Sequence, residues 1–134
     1  MSAGGPLSGI LVVDLTRALA GPYATMMLAD AGAEVVKVER PGTGDDTRGW
    51  GPPFVGGPGE EESTYFLSVN RSKKSVVLDL KEPGDLERLK GLIRRADVLA
   101  ENFRPGVMER LGLGPEDLER LNPRLVSLSI TGFG

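Results

Sequence analysis

The chain has 134 residues, the length of one domain, and its 40% hydrophobic and 26% charged residues are the balance of a soluble globular protein. Its net charge of −3 disfavours non-specific nucleic-acid binding. The chain holds neither Cys nor His, which excludes disulfides, thiolate nucleophiles, imidazole bases and Cys or His metal ligands within it. Its chemistry must therefore use carboxylates, hydroxyls, lysines or backbone groups, or residues outside the chain. Nineteen glycines and ten prolines argue against a helix bundle and imply many tight connections. Residues 1–9 carry no basic or apolar targeting pattern, and no apolar run is long enough to span a membrane, so the expected location is the cytoplasm.

Residues 10–15 (ILVVDL) form a branched apolar run that predicts a buried strand. Pro22 suits the first turn of a helix; Ala24, Met27, Leu28 and Ala31 follow at helical spacing, with Gly32 as the C-terminal stop. Residues 35–38 predict a second strand, giving a right-handed βαβ unit. Residues 41–62 hold seven glycines and three further prolines after Pro41 and read as one long loop. Residues 63–69 (STYFLSV) read as a short helix capped by Ser63, with a strand as the alternative. Strands are expected over 75–80, 97–102 and 125–131, and helices over 82–96, 105–111 and 115–121. The sum is an α/β fold: a doubly wound, mostly parallel Rossmann-like sheet of about five strands. The last strand would lead into a loop at the carboxyl edge, where such sheets bind ligands, so the chain is expected to end within a site.

The turn after the first strand, TRALAGP at 16–22, lacks both GxGxxG and the P-loop pattern, so a standard dinucleotide or nucleoside triphosphate site is disfavoured. Free N–H groups at the helix start suit an anion; a turn with no ligand is the plainer reading. Arg40 follows the second strand, where nucleotide-binding sheets read the adenosine end, and a guanidinium there can stack on adenine or pair with phosphate; an exposed charge is the alternative. Asp45 and Asp46 are expected to order the long loop rather than hold a metal. An Asp46–Arg48 ion pair is expected, with Trp50 and Phe54 as the hydrophobic anchors. Asn70-Arg71-Ser72-Lys73-Lys74 reads as a solvated charge run. Arg17, Arg40 and the segment Asn102-Phe103-Arg104 fall on one sheet edge if all strands are parallel, an arrangement suited to a polyanion.

Taken together, GILVVDLTRALAGPYATMMLADAGAEVVKVERPGTGDDTRGWGPPF, STYFLSVNRSKKSVVLDL, ADVLAENFRPG and NPRLVSLSITGFG resemble the N-terminal part of the family III CoA-transferases, the CaiB/BaiF group. The resemblance runs from about Pro6 to Gly134. It implies a doubly wound α/β domain, with coenzyme A and its thioesters as ligands and no metal. By motif position it places Ala18 and Leu19 near the reacting end of CoA. It places Arg40 at the nucleotide end, Leu78 to Lys81 at the adenine slot, Asn102 and Phe103 beside the pantetheine passage, and Arg110 near a phosphate. It implies transfer through an aspartyl covalent intermediate: the carboxylate attacks the acyl-CoA thioester, giving a mixed anhydride and bound CoA thiolate. That aspartate would lie beyond residue 134, so no catalytic residue is assigned here and the chain alone is expected to be inactive. The resemblance also implies a longer protein and an interlocked homodimer, without nucleic-acid or membrane partners. Within it, the GDDTRGWGPPF and STYFLSVNRSKKS stretches are closest to transferases of succinyl-CoA and other dicarboxylic acyl groups. An α-methylacyl-CoA racemase-like enzyme and a non-catalytic CoA-binding module are the alternatives.

Overall fold

The computed structural model describes residues 4–132. In chain order the elements are β1 (Leu11–Asp14), α1 (Ala20–Asp30), β2 (Glu34–Glu39), a 3-10 turn (Asp46–Gly49), β3 (Phe54–Val55) and β4 (Glu62–Ser63). Then follow α2 (Thr64–Asn70), β5 (Lys73–Val77), α3 (Pro83–Arg95), β6 (Val98–Glu101), α4 (Val107–Arg110), α5 (Pro115–Leu121) and β7 (Val126–Ser129). The main sheet runs β5-β2-β1-β6-β7, and every neighbouring pair is parallel. β3 and β4 form a separate two-stranded antiparallel ribbon.

The centre of the sheet is covered on both faces, which is why its strands read as continuous apolar runs. On one face Val13, Leu15, Val38 and Leu99 pack with Leu89 and Ile93 of α3. On the other, Val12 and Val35 pack with Ala29 of α1 and with Ala33, just before β2. The closest approach is at Gly21, where a β-carbon would sit 2.3 Å from Thr16 Cβ. The start of α1 is thus seated directly on the turn that follows β1. α3 opens with Pro83 and Asp85 and closes with Arg94 and Arg95, a charge order that complements the helix dipole.

Three elements differ from the sequence expectation by more than one residue. β5 begins at Lys73, because backbone pairing follows β2 in register from Val35↔Lys73 to Glu39↔Val77. The pairing includes lysines that apolar periodicity passes over, and it ends before Leu78. α4 is a single turn, since Gly106 preceding it has φ 88°, which leaves Pro105 outside the helix. β7 is limited to Val126–Ser129, the span paired with β6. Within 41–62 the structure adds the 3-10 turn and the β3–β4 ribbon to what reads as a plain loop. The helix expected after Ser63 is present, with the Ser63 hydroxyl accepting from Phe66 N–H at 3.3 Å.

Candidate functional site

From β1 the chain winds outward to β2 and β5 on one side, then returns to place β6 and β7 on the other. The reversal leaves a crevice between the carboxyl ends of β1 and β6, the place where open α/β sheets bind ligands. It is flanked by Arg17 on the turn after β1 and by Phe103 after β6.

The turn after β1 is held by side chains rather than by a backbone ladder. Thr16 N–H donates to Asp14 Oδ1 at 2.9 Å, and Thr16 C=O accepts from Lys37 Nζ at 2.9 Å. Arg17 N–H donates to Asn102 Oδ1 at 3.0 Å, while Asn102 Nδ2 donates to Arg17 C=O at 2.8 Å. Ala18 N–H points to Asp45 Oδ1 at 3.4 Å. Ala18 itself has φ 75°, the left-handed region that a residue with a β-carbon rarely adopts. Leu19 follows, 47% exposed, and α1 begins.

Beside this turn lies a cleft of about 510 Å³ lined by Arg17, Arg40, Leu78, Lys81 and Phe103 among others. Four of the eight residues expected at the site, Arg40, Leu78, Lys81 and Phe103, therefore share one cavity. Asn102 stands behind it, with its amide engaged at both ends on the Arg17 peptide. Ala18 and Leu19 continue the Arg17 turn. Arg110 is exposed on α4 and packs over Gly106, outside the lining of this cleft. Phe103 also lines a neighbouring cleft of about 380 Å³ along β6 and β7. A larger cleft of about 670 Å³ lies at the opposite, amino edge of the sheet. The charges on its rim are paired, Arg71 with Asp30 and Lys74 with Glu34, so it offers little to a charged ligand.

Arg17 faces the cleft beside the Phe103 ring. Its guanidinium carbon is 5.1 Å from the Phe103 ring centroid, and no carboxylate pairs with it among the described residues. Burial and then the nearby charge of Arg40 lower its pKa, partly offset by Asp45. Arg40 donates to Thr43 Oγ1 at 3.0 Å and pairs with Asp46. Lys81 is exposed at the rim.

Beneath the turn is a buried ionic layer that apolar periodicity does not reveal. Asp14 is fully buried, accepting from Thr25 Oγ1 at 2.7 Å and pairing with Lys73 Nζ at 3.0 Å. Lys37 lies 2.9 Å from Asp45 Oδ2, and Arg48 donates to both carboxylate oxygens of Glu39 at 2.7 and 2.8 Å. Arg48 also covers the Phe66 ring at 3.9 Å. Burial alone would raise the Glu39 pKa. Hydrogen bonds from Arg48, Ser75 and the Asp45 amide, with the Arg48 charge, outweigh it and hold the carboxyl at about 2. Asp45 is likewise lowered: burial is outweighed by Lys37 and Thr47. Burial takes the Lys73 ammonium down to about 8 despite Asp14.

These contacts correct three expectations. The Asp46–Arg48 pair does not form: Arg48 is taken by the buried Glu39, and Asp46 by Arg40. Trp50 and Phe54 are each 44% exposed, so they are not the main anchors of the 41–62 segment. The Trp50 ring meets the edge of Tyr65 at 5.1 Å, whereas Asp45 and Thr47 are buried and tie the segment down. The 70–74 run is not uniformly solvated, because the Lys73 side chain is 2% exposed on Asp14. The sequence signal for this layer is charge inside apolar strands: Asp14 in LVVD, and Lys37 and Glu39 in EVVKVE. No cluster of three or more potential acidic metal ligands occurs among the described residues, and no helix there is long and apolar enough to cross a membrane.

The family model of CoA-transferase family III matches residues 7–134. Over 129 residues the chain is 55% identical to succinyl-CoA:glutarate CoA-transferase of Mus musculus, covering 96% of this chain and 29% of that protein. It is 54% identical to acetyl-CoA:oxalate CoA-transferase of Acetobacter aceti, covering 97% and 32%. A crystal structure of a CAIB/BAIF family protein from Brucella suis superposes with a TM-score of 0.92 at 47% identity, covering 97% of this chain and 34% of that one. The chain thus spans about a third of the length of the relatives it matches. With the parallel sheet, the crevice at its switch point and a match over nearly every residue, the chain belongs to CoA-transferase family III.

Proposed function

We propose that this chain is the N-terminal, CoA-binding portion of an enzyme that moves CoA between an acyl-CoA and a carboxylic acid. The observation that carries the reading is the convergence of Arg17, Arg40 and Lys81 on a cleft whose other walls include Leu78 and Phe103. Coenzyme A has the same division: a pyrophosphate and a 3′-phosphate, joined to an apolar-faced adenine and a slender pantetheine arm. Cations recognise the first and apolar walls the second. Ala18 and Leu19, on the turn at the switch point, are assigned to the reacting end. Arg110 is assigned to an outlying phosphate contact.

The donor is proposed to be succinyl-CoA or another dicarboxylic acyl-CoA. Support comes from the names of relatives, succinyl-CoA:glutarate and succinyl-CoA:mesaconate CoA-transferases. Transfer is assigned to an aspartate outside this chain, through a covalent aspartyl intermediate. Carboxylate attack on a thioester requires no metal, Cys or His. The working form is proposed to be a cytoplasmic homodimer. The test is to incubate the intact protein with succinyl-CoA and, separately, glutarate, mesaconate or oxalate. A new acyl-CoA with stoichiometric release of succinate is expected for at least one acid. No exchange with any of them counts against the reading.

A further inference from the structure

We infer that Asn102 is a positioning residue: its side-chain amide grips the Arg17 peptide from both sides and so aims the Arg17 guanidinium into the cleft. The inference rests on the proposed binding of CoA in that cleft. Asn102 does not line the cleft; its Oδ1 accepts from Arg17 N–H at 3.0 Å and its Nδ2 donates to Arg17 C=O at 2.8 Å. These two bonds cross the switch point and join the turn after β1 to the end of β6. The next residue is held as well, since Phe103 N–H donates to Glu101 Oε1 at 3.0 Å. Both partners of the Arg17–Phe103 contact are thereby fixed through their backbones.

The rest of the turn is bound in the same manner. Lys37 holds Thr16 C=O, and Asp45 reaches Ala18 N–H. Residues on either side of the Arg17 peptide are therefore held by the buried Lys37–Asp45 pair, and the peptide itself by Asn102. The left-handed Ala18 is maintained by this cage. Arg17 itself spends no side-chain hydrogen bond on the described protein, so its aim depends on its backbone and on the Phe103 ring. A guanidinium fixed before the ligand arrives loses less freedom on binding.

The test is a double-mutant cycle on the intact protein, reading CoA affinity, with Asn102→Ala, Arg17→Gln and both together. Each single change is expected to weaken CoA binding about tenfold. The double variant is expected to bind no more weakly than Arg17→Gln alone, because Asn102 acts through Arg17. Additive losses overturn the inference. Amide hydrogen exchange in the unliganded protein gives a readout that does not involve CoA. Exchange at the Arg17 N–H is expected to quicken about tenfold in Asn102→Ala, and about as much in the milder Asn102→Ser should the first variant not fold. Unchanged exchange overturns the inference. A wild-type protein that binds no CoA overturns the proposed function, and quickened exchange would then still support the Asn102 grip on the turn.

Discussion

At the scale of single residues, the site combines two kinds of charge that behave differently. Arg40 is partly exposed and shares its guanidinium with Asp46 and Thr43, so a ligand phosphate would compete with an exposed ion pair worth at most about 1 kcal/mol. Arg40→Ala in the intact protein is expected to weaken CoA binding by about 1–3 kcal/mol, and dephospho-CoA binding by less, as isothermal titration of both ligands would show. Equal losses would move Arg40 to adenine stacking. Glu39 belongs to the second kind. Its carboxyl is held at about 2 against an ordinary 4.5, so the folded state binds its proton less readily than the unfolded chain. The stability it contributes is present above 4.5 and is lost as pH falls toward 2. Glu39→Gln is expected to destabilise the protein at neutral pH and to flatten the fall in urea-unfolding stability across that acidic window. An unchanged acid limb would show that other carboxylates govern it.

At the scale of elements, the 41–62 segment shows how a stretch without periodicity is ordered. It contributes no apolar face, and its aromatic residues Trp50 and Phe54 remain half exposed. Its order comes from Asp45, which meets Lys37, caps the 3-10 turn through Thr47 N–H at 2.9 Å and receives Thr47 Oγ1 at 2.8 Å. Asp45→Ala leaves Lys37 buried without its carboxylate, a change that typically costs about 3–5 kcal/mol. Trp50→Ala removes an edge contact worth about 0.5–1.5 kcal/mol. Limited proteolysis within residues 41–62 is therefore expected to accelerate strongly in Asp45→Ala and only mildly in Trp50→Ala. The reverse order would restore the aromatic side chains as the anchors. Local pattern carries no information on a partner that lies eight residues away and on another element.

At the scale of the whole molecule, the parallel sheet and its order place the cleft at the switch point, while the chain covers about a third of its relatives. Transfer is proposed to rest on an aspartate outside this chain. Residues 1–134 produced alone are expected to give no CoA exchange from succinyl-CoA above the uncatalysed rate. Turnover that survives repurification would show that the chain contains its own nucleophile.

Much of this protein is determined by sequence alone. Branched apolar runs at β1 and β2, Pro at the start of α3 and α5, and the Ser63 cap are local signals, because each depends on the residue itself and its near neighbours. They led to the α/β class, the helices and the sheet edge on which Arg17, Arg40 and Asn102 meet. The motif pattern led to the family. Tertiary structure decided how the charges are partnered. Lys73 finds Asp14 across 59 positions and Asn102 finds Arg17 across 85, pairings that no local spacing records. A buried charge must be matched wherever the fold brings a partner within reach, since desolvation would otherwise neutralise it or unfold the chain. That requirement selected Glu39 for Arg48, left Asp46 to Arg40, and turned a run of lysines into one buried tie and one solvated side chain.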